Sequence, residues 1–128
     1  LVCTKYESQA VRETFKIDFG SETTVVATGD GQKEFHMPYN FTLTDVFATV
    51  KTPSSSGIPS IQIQQNNLDI LSTPITIDVT EKSSRDATTP VVISDTTLDI
   101  NGIIEFDIDA IGTDLAGLVI YLIGYQRF

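Results

Sequence analysis

Apolar and polar residues alternate with a period of two along most of this chain, and no other feature of the sequence constrains the fold as strongly. Phe15, Ile17 and Phe19 alternate with Lys16 and Asp18, and Ile61 and Ile63 with Gln62 and Gln64. Ile75, Ile77 and Val79 alternate with Thr76, Asp78 and Thr80, and Ile104, Phe106 and Ile108 with Glu105, Asp107 and Asp109. A strand turns successive side chains to opposite faces, so each such run buries one face and wets the other; a helix would scatter the same residues around its circumference. Thr, Ile and Val together supply about a third of the residues, and β-branched side chains lose more rotamer freedom in a helix than on a pleated sheet. The chain is expected to be all-β.

Turn-forming residues divide the alternation into short pieces. Thr23 to Thr28 reads as a strand ending in Gly29-Asp30-Gly31, a tight hairpin turn, and Lys33 to Met37 as the next strand, closed by Pro38. Phe41 and Leu43 start a longer strand to Val50, whose phase change near Asp45 predicts a bulge. Thr52 to Pro59, two prolines and a glycine among serines, is a surface loop by composition. Asn66-Asn67 marks a turn before Leu68 and Ile70, Val91 to Ile93 is a short strand, and Glu81 to Pro90 is a loop or a single helical turn. Asn101-Gly102 is the strongest hairpin signal, joining Leu98–Ile100 to Ile103–Ile108. Leu118 to Tyr125 reads as a closing strand buried on both faces. With 128 residues the chain is one domain, expected to divide into an unpatterned arm over 1–12 and a sandwich over 13–128. The predicted architecture is a two-sheet antiparallel β-sandwich of jelly-roll type, with roughly eight to ten short strands.

Charge and composition exclude several kinds of chemistry. The formal charge is −9, from 8 Lys+Arg against 17 Asp+Glu, which disfavours nucleic acid because phosphate binding needs a dense basic patch. The most apolar window, Leu115 to Tyr125, is about half the length of a membrane-spanning helix, so no membrane insertion is expected. Residues 1–12 carry Lys5, Glu7 and Arg12 and do not read as a secretory leader. A single Cys3 allows no internal disulfide, and one Cys with one His is not a zinc set. His36 is the one imidazole able to activate a serine, and no Gly-x-Ser-x-Gly elbow accompanies it. A surface histidine is the simpler reading, and no catalytic role is assigned. Phosphate-loop and dinucleotide fingerprints are absent, and no cofactor is expected. Asn40-Phe41-Thr42 matches a glycosylation sequon, a common chance match.

From Asp86 to Gln126 there are seven acids and no Lys or Arg, which reads as a solvated acidic face. Asp99, Glu105, Asp107 and Asp109 are weak candidates for calcium, weak because alternate carboxylates on one regular strand stand about 7 Å apart. A glycosidase could use two such acids, but aromatic platforms are scarce and Trp is absent. Binding or assembly remains. The N-terminal residues, with Cys3, Lys5 and Tyr6, are a candidate assembly arm. The candidate partner-facing loops carry Ser54, Ser55 and Ser56 in one and Lys82 and Arg85 in the other.

Three stretches carry a resemblance. They are Phe35-His-Met-Pro-Tyr-Asn-Phe-Thr-Leu-Thr-Asp-Val46; then Ile70-Leu-Ser-Thr-Pro-Ile-Thr-Ile-Asp-Val-Thr-Glu-Lys-Ser84 with Ala87-Thr-Thr-Pro-Val-Val-Ile-Ser-Asp95; and Phe106-Asp-Ile-Asp-Ala-Ile-Gly112 with Gly117-Leu-Val-Ile-Tyr-Leu-Ile-Gly124. In this order they resemble a domain recurrent in structural proteins of tailed bacteriophages, similar to C-terminal β-sandwich domains of tail-fibre and other virion-surface proteins. The resemblance covers residues 33–124, and the N-terminal third departs from it. It implies a non-enzymatic virion protein, assembled in the host cytoplasm and displayed on the particle as part of a tail fibre or spike. Its partners would be copies of itself, as a trimer, other virion proteins and a host-surface glycan. The alternative is a capsid cement or decoration protein that clamps neighbouring capsomers through its N-terminal arm. A third reading is a calcium-dependent carbohydrate-binding module.

Overall fold

The computed structural model describes residues 12–20 and 25–127, with the backbone alone for residues 30–32. Among them are eleven strands: β1 Arg12–Phe19, β2 Gly29–His36, β3 Phe41–Thr49, β4 Ser60–Gln65, β5 Leu68–Asp69, β6 Leu71–Thr73, β7 Ile75–Thr76, β8 Val92–Ile93, β9 Thr97–Leu98, β10 Ile103–Ala110 and β11 Leu118–Gln126. The one helical turn among them is a 3-10 turn over Ser84–Asp86, inside the polar stretch expected to be a loop or such a turn.

Nine of the strands form two sheets, one ordered β1-β11-β3-β9 and the other β2-β10-β4-β5 with β7 also paired to β4, while β6 and β8 pair with each other. The pairs β1 with β11, β2 with β10, β3 with β9 and β4 with β5 are all antiparallel. Each pair joins a strand before Asn66-Asn67 to one after it, so the domain is one long hairpin whose two arms wind together through both sheets. That is the jelly-roll arrangement. Its apex is a two-residue turn in which Asn66 (φ 51°) and Asn67 (φ 68°) both have positive φ. This backbone matches the twist of the strands it joins, and Asn tolerates it better than most side chains.

The inward phases of both sheets meet in one core. Phe19, Phe41, Leu43, Val46, Leu118, Ile120 and Leu122 come from the first sheet, and Ile61, Ile63, Ile104, Phe106 and Ile108 from the second. Phe19 packs edge-on against Phe106 across the gap, with ring centroids 5.7 Å apart. The phase change predicted near Asp45 is present: Ile123 faces Asp45 and Gly124 faces Leu43, leaving Thr44 as the extra residue of a bulge. Side chains on both sides of the bulge thereby return to the core, with Leu43 and Val46 both buried.

Five expectations need correction. Asn101-Gly102 does form a turn, with Gly102 N–H donating to Asp99 O at 2.8 Å, but its arms separate, β9 pairing with β3 and β10 with β2 and β4. Only Asn101 of its two central residues has positive φ; a turn of that kind splays its flanking strands, so the chain crosses from one sheet to the other. Gly29-Asp30-Gly31 opens β2 and makes no hairpin, because β2 pairs with β10 as far as Gly29 through an irregularity between Phe106 and Ile108. Residues 25–28 form no strand; Val25 makes an isolated bridge to Ala116, and Thr23 lies outside the described residues. The run from Ile75 is a strand only over Ile75–Thr76, although Ile75 and Ile77 are both buried. β11 buries one face only, its alternate residues from Val119 to Tyr125 being half-buried.

At the end of the sandwich beside Pro38, Phe15 packs against Phe35, Tyr39 and Phe41. The Tyr39 hydroxyl donates to Glu13 Oε2, on the inward phase of β1. The Tyr39 pKa is pushed up from 10.0 to about 12, first by that hydrogen bond and then by burial and the charge of Glu13.

Two predictions follow from this packing. A Cβ at Gly124 would collide with the carbonyl oxygen of Thr42 and come within 2.7 Å of the Phe41 ring. Gly124→Ala is therefore expected to cost about 3 kcal/mol, seen as a lower urea midpoint at unchanged m-value. Folding favours the neutral phenol of Tyr39, so its contribution is complete below pH 10 and fades as pH rises towards 12. Tyr39→Phe should cost about 1 kcal/mol at neutral pH and flatten the fall in stability across that alkaline window. Identical pH profiles for the two proteins would remove this role.

Candidate functional site

The acidic candidates are spread out. Asp99, in the turn before β10, pairs with the Arg127 guanidinium at 3.2 Å. Glu105 stands on β10 between Glu34 of β2 and Gln64 of β4. Asp107, two residues on, is 7% exposed and lies opposite Gln62; Asp109 is exposed. The acidic stretch is thus not solvated throughout, as expected from its charge, since the second sheet is covered where Asp107 and Gln62 lie. Among the described residues no group of three or more His, Cys, Asp or Glu side chains is placed to hold a metal ion. His36 is exposed, and its Nε2 lies 3.8 Å from Glu34.

The two loops are tied down more than their composition suggests. Ser54 is 1% exposed, so it faces the loop interior and not a partner. Its hydroxyl accepts from Ser56 N–H (3.3 Å) and Thr113 N–H (3.0 Å) and lies 2.8 Å from the carbonyls of Ser56 and Gly57. Ser55 and Ser56 are exposed beside it. The segment Glu81–Pro90 covers the edge of β3 where β9 runs out. Val50 N–H donates to Lys82 O, and Ala48 N–H donates to the buried Ser84 hydroxyl at 2.8 Å. Covering a strand edge in this way satisfies backbone groups that would otherwise pair with another chain. Lys82 is exposed, whereas Arg85 is committed: its guanidinium reaches Asp45 at 2.9 Å and lies 4.0 Å over the Phe47 ring. Cys3, Lys5 and Tyr6, the candidate arm, lie outside the described residues.

What the sequence reading missed stands on the outer face of the first sheet. Phe47 and Tyr121 face each other across β3 and β11 and stack nearly parallel, with centroids 4.4 Å apart and planes 9° apart. Arg85 takes the next place in the row, so Tyr121, Phe47 and Arg85 form a ladder held by stacking and cation–π attraction. The signal was present: Phe47 and Tyr121 occupy the polar phase of strands whose inward phase is Val46, Ala48, Ile120 and Leu122. An aromatic out of phase with its core marks a surface that does more than stay wet.

Beside Tyr121, along β11 towards Gly117, the sheet dips into a hollow of about 280 Å³ flanked by β1 on one side and the end of β3 on the other. Val119 lies on its floor, with Lys16, Asp18, Thr49 and Lys51 around it. Gly20 and Gly117 leave its end open of side chains. Lys16 faces Tyr121 in the register of β1, and Asp18 faces Val119. A second hollow, of about 390 Å³, opens between the edges of β1 and β2 over Phe15, Ile17 and Phe35. No family model, curated protein or solved structure significantly matches this chain.

Proposed function

We propose that this chain is a non-enzymatic structural module of a tailed-phage particle, a jelly-roll sandwich displayed on a tail fibre or spike that acts in attachment to the host surface. The order of the phage-like segments along residues 33–124 suggests the setting. The observation that carries the reading is the polarity of the sandwich. The short connections gather at one end: Asn101 N–H donates to Met37 O, Asn66 N–H to Ile103 O, and Arg127 N–H to Asn40 O. Arg12 pairs with Tyr125 at the same end, so both ends of the described chain emerge there.

The long connections gather at the opposite end. Val26 N–H donates to Leu115 O, Ser55 N–H to Thr113 O, and Thr80 N–H to Ser54 O. A sandwich with its long connections gathered at one end presents them across a rigid double sheet, an arrangement suited to display. In this reading copies of the chain stand side by side in the fibre, and the loop end meets the host. Quantitative mass spectrometry of purified particles tests it. A handful of copies per particle, with adsorption blocked by antibodies against the loop end, is the expected result. Hundreds of copies would reassign the chain to capsid decoration, and absence from particles would overturn both.

A further inference from the structure

We infer that the hollow beside Tyr121 is a sugar subsite for a pyranose that carries a carboxylate, such as a hexuronic-acid residue of a surface polysaccharide. This rests on the attachment reading for its setting, but its chemistry comes from the site. Phe47 covers one face of the Tyr121 ring. Tyr121 lines the hollow, with Lys16 as its neighbour on β1. One face of a pyranose presents polarised C–H groups, which suit the electron-rich face of an aromatic ring. Its rim presents hydroxyls, each both donor and acceptor.

The groups around the hollow match that rim. Asp18 accepts, Lys16 and Lys51 donate, and the Thr49 hydroxyl can do either. The stacked Phe47 and Arg85 hold Tyr121 from behind, with Arg85 anchored on Asp45, so little ordering of the ring remains to be done on binding. The volume, about 280 Å³, is at the lower bound of small-molecule pockets and suits one ring rather than a chain of them.

Charge decides between sugars. Lys16 pairs with Asp18 at 4.0 Å, while Lys51 has no ion-pair partner among the described residues. Lys51 is also held in place, since its backbone N–H and that of Thr52 both donate to Ala116 O. In a chain of net charge −9, a hollow with two lysines and one aspartate is locally positive. A carboxylate on the sugar complements it, and a neutral hexose leaves Lys51 without a counter-charge.

The test is titration of the ¹⁵N-labelled protein with sodium glucuronate, with glucose and sodium acetate as controls. Glucuronate should shift the amides of residues 16–20, 49–51 and 117–121 and saturate with a Kd on the order of 1–10 mM. Tyr121→Ala should abolish the shifts and Tyr121→Phe should keep them. Lys51→Ala, a change at an exposed side chain, should weaken glucuronate about threefold to fivefold and weaken glucose less, which keeps the test open if Tyr121→Ala fails to fold. No saturable shift, or the same shifts with acetate, overturns the subsite; equal affinity for glucose overturns the acidic sugar. Absence of the chain from particles would remove the attachment reading without touching this titration, and a silent titration of a chain present in the tail would remove only the sugar.

Discussion

Nested antiparallel pairing is the constraint on which the rest of the molecule depends. Each of the four strand pairs of the wound hairpin must hold its register, because a slip of one residue exchanges the two faces of a strand. In β10 such a slip would carry Ile104, Phe106 and Ile108 out of the core and bring Glu105 in. Burying carboxylates without partners costs far more than the apolar contacts return. The bulge at Thr44 belongs to the same constraint. It changes the phase of β3 once, so that Leu43 and Val46 both reach the core, and Gly124 lets the two backbones approach closely opposite it.

The sandwich and most of its strands were legible because alternation reports directly on burial. β1, β4 and β10 follow their apolar phases, the bulge shows as a break in phase, and Asn66-Asn67 supplies a turn with two positive φ angles. Alternation does not say which strand lies beside which. Asn101-Gly102 looks like a hairpin in sequence, yet only one of its central residues takes a positive φ, and the chain changes sheets there. Gly29-Asp30-Gly31 has turn composition and is drawn into β2 by a partner more than seventy residues away. Polar loops were read as free surface, whereas Ser54 and Ser84 are buried as acceptors for backbone N–H groups, a role local composition does not reveal.

The candidate site was illegible for a related reason. Phe47 and Tyr121 are far apart in sequence, and each alone is an ordinary half-exposed aromatic. The β3–β11 register brings the two rings into contact, and the 3-10 turn after Ser83 adds Arg85 on top. Arg85 looked like a charge offered to a partner; its bond to Asp45 and its place over Phe47 make it a brace. The acidic residues that drew attention in the sequence are dispersed among Arg127, Glu34 and Gln62 as neighbours. The positive hollow at Lys16 and Lys51 lies on the other sheet.

The pairing of β1 with β11 also governs how the molecule is made. Arg12 meets Tyr125 in register, so the first described strand cannot find its partner until β11, more than a hundred residues on, has left the ribosome. The apex at Asn66-Asn67 can close early, since its loop is short and its entropy cost small. The outer turns of the winding must wait, and such long-range pairing is slow. During that interval β1, with Phe15, Ile17 and Phe19 on one face, is an open edge available to other nascent copies. Where many copies are synthesised close together, the order of folding along the chain becomes a hazard of assembly as much as a property of the fold.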